Sequence, residues 1–164
     1  MDMRFSTTHI LQIAESVEQR EIDYYARAAQ HIEAEELRDV CRQLAGWSLR
    51  HKRAWAQRRQ RIAPDTETSQ ACLLPDPAAM AGLTWFGLRV VPDKRFKSWT
   101  CRETVLWEAM QRAKDLVTFY EGLKGFAGDA EALLMIDRIL NEEDRHLQYI
   151  QWLMNQPQTI ARSA

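Results

Sequence analysis

Glu143-Asp144-Arg145-His146 sets a carboxylate and an imidazole three residues apart, so on a helix both project from one face, a turn apart. That pair of donors suits iron, manganese or zinc. Two more titratable residues, Glu18 and His51, fall at mid-helix positions where the surrounding apolar spacing points inward. A carboxylate facing a core is costly unless a cation or a proton satisfies it. One metal would satisfy Glu18, His51, Glu143 and His146 together, and that is the chemistry these residue types favour. The plainer reading is a pair of core histidines hydrogen-bonded to carboxylates. Glu18 paired with an arginine belongs to the same reading.

Positioning such a group requires helices. From Ser6 to about Ile32, Leu11, Ala14, Glu18, Glu21, Tyr25, Ala28 and Ile32 recur at alternating steps of three and four. A second helix is expected from about Ala34 to Ile62, with Leu37, Cys41, Leu44, Ser48, His51 and Trp55 on its seam and Pro64 beyond its end. Residues 63–99 break the pattern with Pro75-Asp76-Pro77, Gly82, Gly87 and Pro92. The same stretch carries Trp85, Phe86, Leu88, Val90 and Val91, too apolar for a flexible linker, so it reads as a packed crossover with a short strand conceivable at 88–91. Thr100 and Glu103 have capping-box spacing ahead of a third helix ending near Lys124. Asp129 is the expected N-cap of a fourth helix reaching Met154, and 155–164 form a short tail.

The two helical hairpins, 6–62 and 100–154, align without a gap at a shift of 95 residues. Tyr25 falls on Tyr120, Leu11 on Leu106, Ala14 on Ala109, and Arg50-His51 on Arg145-His146. A duplicated hairpin is the reading that fits both the identities and the helix pattern.

The 164 residues suit one domain, and 22 basic against 23 acidic side chains give a net charge of −1, without the basic excess of a nucleic-acid binder. The run Arg50, Lys52, Arg53, Arg58, Arg59 and Arg61 winds around several faces toward a helix C-terminus, where cations are favoured. The longest aliphatic run, Ala132 to Ile136, is far short of the ~20 residues that span a membrane. Three cysteines without a Cys-x-x-Cys fit reduced thiols in a cytoplasm.

Across both hairpins the chain resembles the ferritin-like superfamily, and rubrerythrin-type proteins within it. The resemblance implies an all-α, ferritin-like four-helix up-down bundle with one long crossover. That family supplies one Glu from each of two helices and a Glu-x-x-His from each of the others, around two irons. Glu18, seven residues before Tyr25, stands at the first-helix ligand position. His51 matches the second-helix histidine, and Glu143 with His146 matches the fourth-helix motif. Two expected carboxylates are replaced: Ser48 stands where the second-helix glutamate belongs, and Ala113 where the third-helix one belongs. Glu18 and Glu143 would neutralise one divalent cation but not two.

The expectation is therefore a single-metal or degenerate centre of Glu18, His51, Glu143 and His146. Glu21 or Glu142 either compensates for the lost carboxylates or stands, with Tyr25 and Tyr120, behind the ligands. The resemblance further implies iron, with manganese or zinc as substitutes, and oxygen or peroxide chemistry. An external electron donor would serve it, because no Cys-x-x-Cys module is present, and the chain would form a homodimer. The competing expectation is a non-catalytic bundle that has lost the centre and serves as a binding or structural protein.

Overall fold

The computed structural model describes residues 7–62, 101–125, 127 and 130–157. Four helices account for nearly all of them: α1 (Thr7–His31), α2 (Glu35–Arg61), α3 (Arg102–Lys124) and α4 (Ala130–Asn155). α1 packs along α2, and α3 along α4. The expected crossover at 63–99, its conceivable strand, Thr100 and Asp129 lie outside the described residues. Each helix of the second half begins 95 residues after its counterpart, which is the shift the sequence alignment requires.

Local chemistry explains the ends. α2 opens with Glu35 and Glu36 in its first turn and closes with Arg58, Arg59 and Arg61 in its last, so both ends complement the helix dipole. The backbone of Ala34 is extended, and its carbonyl accepts the N–H groups of Leu37 and Arg38 at 3.1 and 3.0 Å. α3 starts one residue later than a Thr100 cap would place it. Its N-cap position is Cys101, an extended residue whose side chain makes no capping bond. Three of the six residues of the basic run on α2 are engaged within the chain: Arg59 grips Glu15 at 2.6 and 3.2 Å, Arg58 meets Glu131 at 2.7 Å, and Lys52 donates to Gln19.

Among the described residues the core falls into two apolar lobes, each with residues from all four helices. One contains Ile10, Leu11, Ala14 and Val17 of α1, Trp55 of α2, Leu116 and Tyr120 of α3, and Ile136 and Ile139 of α4. The other contains Tyr24, Tyr25 and Ala28, then Leu37, Cys41 and Leu44, then Leu106, Ala109 and Ala113, then Ile150 and Leu153. α1 and α4 therefore run from the first lobe to the second, and α2 and α3 the other way. Since α2 and α3 are parallel, the connection between them starts at one end of the bundle and finishes at the other. Between the lobes lies a buried polar layer: Glu18, Glu21, Ser48, His51, Arg112, Glu143 and His146.

Candidate metal centre

Each helix delivers its polar residues to this layer at the point where its apolar seam passes from one lobe to the other. Glu18, His51 and Glu143, from three different helices, offer ligand atoms that all lie within 4.8 Å of one another. His51 Nδ1 is 3.3 Å from Glu18 Oε1 and 3.2 Å from Glu143 Oε1, while Nε2 lies 3.0 Å from Glu142 Oε2 near the surface. One ring nitrogen thus faces the carboxylate pair, and the other is held by a carboxylate behind it, the arrangement that orients metal-binding imidazoles. His146 Nδ1 stands 3.2 Å from Glu143 Oε2, so it joins the cluster through Glu143 but lies outside the three-donor group.

Glu18 is wholly buried. Its Oε1 accepts the Tyr120 hydroxyl, which in turn accepts Trp55 Nε1–H at 3.2 Å. Its Oε2 has no hydrogen-bond partner among the described residues. Burial pushes the Glu18 carboxyl up, against the hydrogen bond and charge of His51. Burial also works to raise Glu143, yet its contacts with His146 and His51 win and hold it below the ordinary carboxylate range. For His51, burial favours the neutral ring, but hydrogen bonds to Glu143 and Glu18 push it up to about 10. Without a metal, His51 is thus an imidazolium between two acid groups.

The other half of the layer differs. Ser48 and Ala113 line a cavity of about 20 Å³, together with Tyr25, Trp47, Glu143 and His146. That is room for roughly one water molecule. Tyr25 borders this cavity, whereas its repeat counterpart Tyr120 donates to Glu18.

Glu21 does not compensate as a ligand, because Arg112 already holds it. The guanidinium makes two bonds to its carboxylate, one of 3.1 Å from Nε to Oε2 and one from Nη2 to Oε1, and packs 3.6 Å from the Tyr24 ring centroid. Burial pushes Glu21 up to about 7, with Arg112 pulling the other way. Arg112 adjoins, rather than occupies, the Ala109–Ala113–Leu116 seam, so the apolar spacing does not single it out. The repeat carries the signal: its counterpart is Val17, a core residue. Trp47, which stacks on His146 at 3.7 Å, is likewise the counterpart of Glu142, which bonds His51. Each histidine is met from the opposite hairpin, one by a carboxylate and the other by an indole.

No family model matches the chain, and no curated protein sequence matches it. Among solved structures, a Thermotoga maritima protein assigned as a ferritin-like diiron-carboxylate protein is similar. It has a TM-score of 0.61 and 18% identity over 95% of this chain and 99% of that one. The fold is ferritin-like. In this ferritin-like bundle, among the described residues, no helix is long and apolar enough to cross a membrane.

Proposed function

We propose that this chain is a metal-binding ferritin-like protein that holds one divalent cation, iron foremost, at Glu18, His51 and Glu143. His146 would approach from beside Glu143. The observation that carries the reading is Glu18, a fully buried carboxylate whose Oε2 has no hydrogen-bond partner among the described residues and which offers a ligand atom within 4.8 Å of those of His51 and Glu143. Such an oxygen is costly to bury unsatisfied, and a cation between the three donors satisfies it. Two carboxylates neutralise one divalent ion. The side that would serve a second ion holds Ser48, Ala113 and a water-sized cavity.

The residues around the donors fit that task. Glu142 fixes the far nitrogen of His51, and Tyr120 fixes Glu18 Oε1, so both donors are pre-oriented. To serve as a ligand, Nδ1 of His51 gives up its proton, while Nε2–H stays on Glu142. Bound iron would supply one-electron redox chemistry toward dioxygen or peroxide, in the manner of rubrerythrin-type relatives. The reducing electrons then come from an external donor. A homodimer belongs to the same proposal, and sedimentation equilibrium of the full chain tests it.

Elemental analysis after expression with iron, manganese and zinc tests the centre. The expected result is close to one metal per chain, lost in Glu18→Ala and His51→Ala. A metal-free protein whose stability ignores added iron defeats the reading, and two metals per chain defeat its single-ion form. One observation favours the rival, non-catalytic bundle: the imidazolium of His51 lies between Glu18 and Glu143, so charge is largely balanced without an ion.

A further inference from the structure

Five aromatic rings lead from the buried carboxylates to solvent. The rings of His51 and His146 are 5.6 Å apart and 24° from parallel. His146 stacks on Trp47 at 3.7 Å and 4°. Trp47 meets Tyr149 edge-on at 5.5 Å, and Tyr149 stacks with Trp152 at 6.0 Å and 25°. His51 and His146 are buried, Trp47 and Tyr149 half-buried, and Trp152 is 55% exposed. The order is built into the helices. His146, Tyr149 and Trp152 follow at steps of three along one face of α4, and Trp47 enters from α2 between the first two. The Tyr149 hydroxyl donates to Gln43 Oε1 at 3.1 Å, which fixes the fourth ring.

The outer ring, Trp152, stands in water beside exposed Gln148 and Gln151. The three donors are themselves buried, so a protein-sized reductant would pass electrons to them through intervening side chains. Contiguous π systems give an electron a lower tunnelling barrier than aliphatic packing does.

The geometry points to an electron path: the Trp152–Tyr149–Trp47–His146–His51 ladder carries single electrons from an external one-electron reductant, met at Trp152, to iron held at Glu18, His51 and Glu143. It rests on the iron reading above. One electron leaves the reductant, which is oxidised by one unit, and the held iron passes from ferric to ferrous. The rings end as they began, and no bond forms or breaks.

The full chain is loaded with ferric iron, and iron per chain is counted. Reduction by hexaammineruthenium(II) is then followed by stopped-flow absorbance in the parent, Trp152→Leu, Trp152→Tyr, Trp47→Leu and Trp107→Leu. Trp107, on α3, is 52% exposed and outside the ladder, so it serves as the control. With unchanged iron content, Trp152→Leu and Trp47→Leu should slow reduction at least about tenfold, one decade or about 1.4 kcal/mol of barrier. Trp152→Tyr, which keeps a ring, should recover most of the rate, and Trp107→Leu should match the parent. Iron-loaded Trp152→Leu reduced as fast as Trp107→Leu overturns the ladder and leaves the centre standing. Failure of the parent to take up iron overturns both.

Discussion

Replacing Arg112 by valine strands Glu21 in the polar layer, and the cost can be worked from the structure. The two side chains are 5% and 0% exposed, joined by two bonds, and the guanidinium also covers Tyr24. Removing one partner of a buried pair typically costs ~3–5 kcal/mol, and a desolvated cation–π contact adds up to about 2. Part of that is recovered by proton uptake, because Glu21, at about 7 with Arg112 present, rises further without it. The sign follows from linkage. A carboxyl whose folded value exceeds its unfolded one holds more protons when folded, so stability falls as pH rises between the two. In the parent that fall ends near pH 7, whereas in Arg112→Val it continues higher. The deficit should be ~3–4 kcal/mol at pH 6.5 and grow by up to about 1.4 kcal/mol per pH unit above pH 7. Urea denaturation followed by circular dichroism at pH 6.5 and 8 measures it. The double variant Arg112→Val/Glu21→Leu copies the repeat counterparts Val17 and Leu116, both in one apolar lobe. It should return to within ~1–2 kcal/mol of the parent. A single variant less than ~1 kcal/mol destabilised, or a double variant weaker than the single, refutes this account of the pair.

Metal affinity should rise with pH, by about tenfold per unit below pH 10, because the cation must displace the His51 proton. Competition with a chelator of known affinity at pH 6.5, 7.5 and 8.5 reads that slope, and a flat profile contradicts His51 as a ligand. Tyr120→Phe leaves Trp55 Nε1–H and Glu18 Oε1 without the hydroxyl that joins them, a loss of ~1–3 kcal/mol. Its thermal midpoint should drop by ~2–4 °C per kcal/mol. Ser48→Glu/Ala113→Glu overfills the water-sized cavity with charge. The metal-free protein should be destabilised and added iron should restore it with a second ion per chain; stability indifferent to iron argues against that assignment of the cavity.

Periodicity made much of this legible. The four helices, the 95-residue repeat and the inward positions of Glu18, His51 and Glu143 follow from the spacing of apolar residues, since three- and four-residue steps leave one helical face. Distance between helices does not follow from spacing. Glu-x-x-His put His146 on the correct face of α4, yet it meets Glu143 rather than the three-donor group. Glu21 looked like a spare ligand because its partner lay 91 residues away, one position off a seam that otherwise reads apolar. Trp47 could be told from five other tryptophans only through its counterpart Glu142, a comparison that gains meaning once the histidines are known to face it. The cap of α3 at Cys101 is hidden for a simpler reason: its side chain makes no capping bond to the backbone, so no residue type announces it.

The pairing of Glu21 with Arg112 has a consequence for a chain built from two similar hairpins. Such halves invite mispairing, in which the first hairpin of one molecule docks on the first hairpin of another. That arrangement would bring Glu21 against Val17, with no cation to meet it, and two second hairpins would leave Arg112 facing Leu116. Either product buries an unmatched charge twice over. The ion pair therefore works as a key and lock between unlike halves, and it selects the intramolecular bundle over its own symmetric imitations.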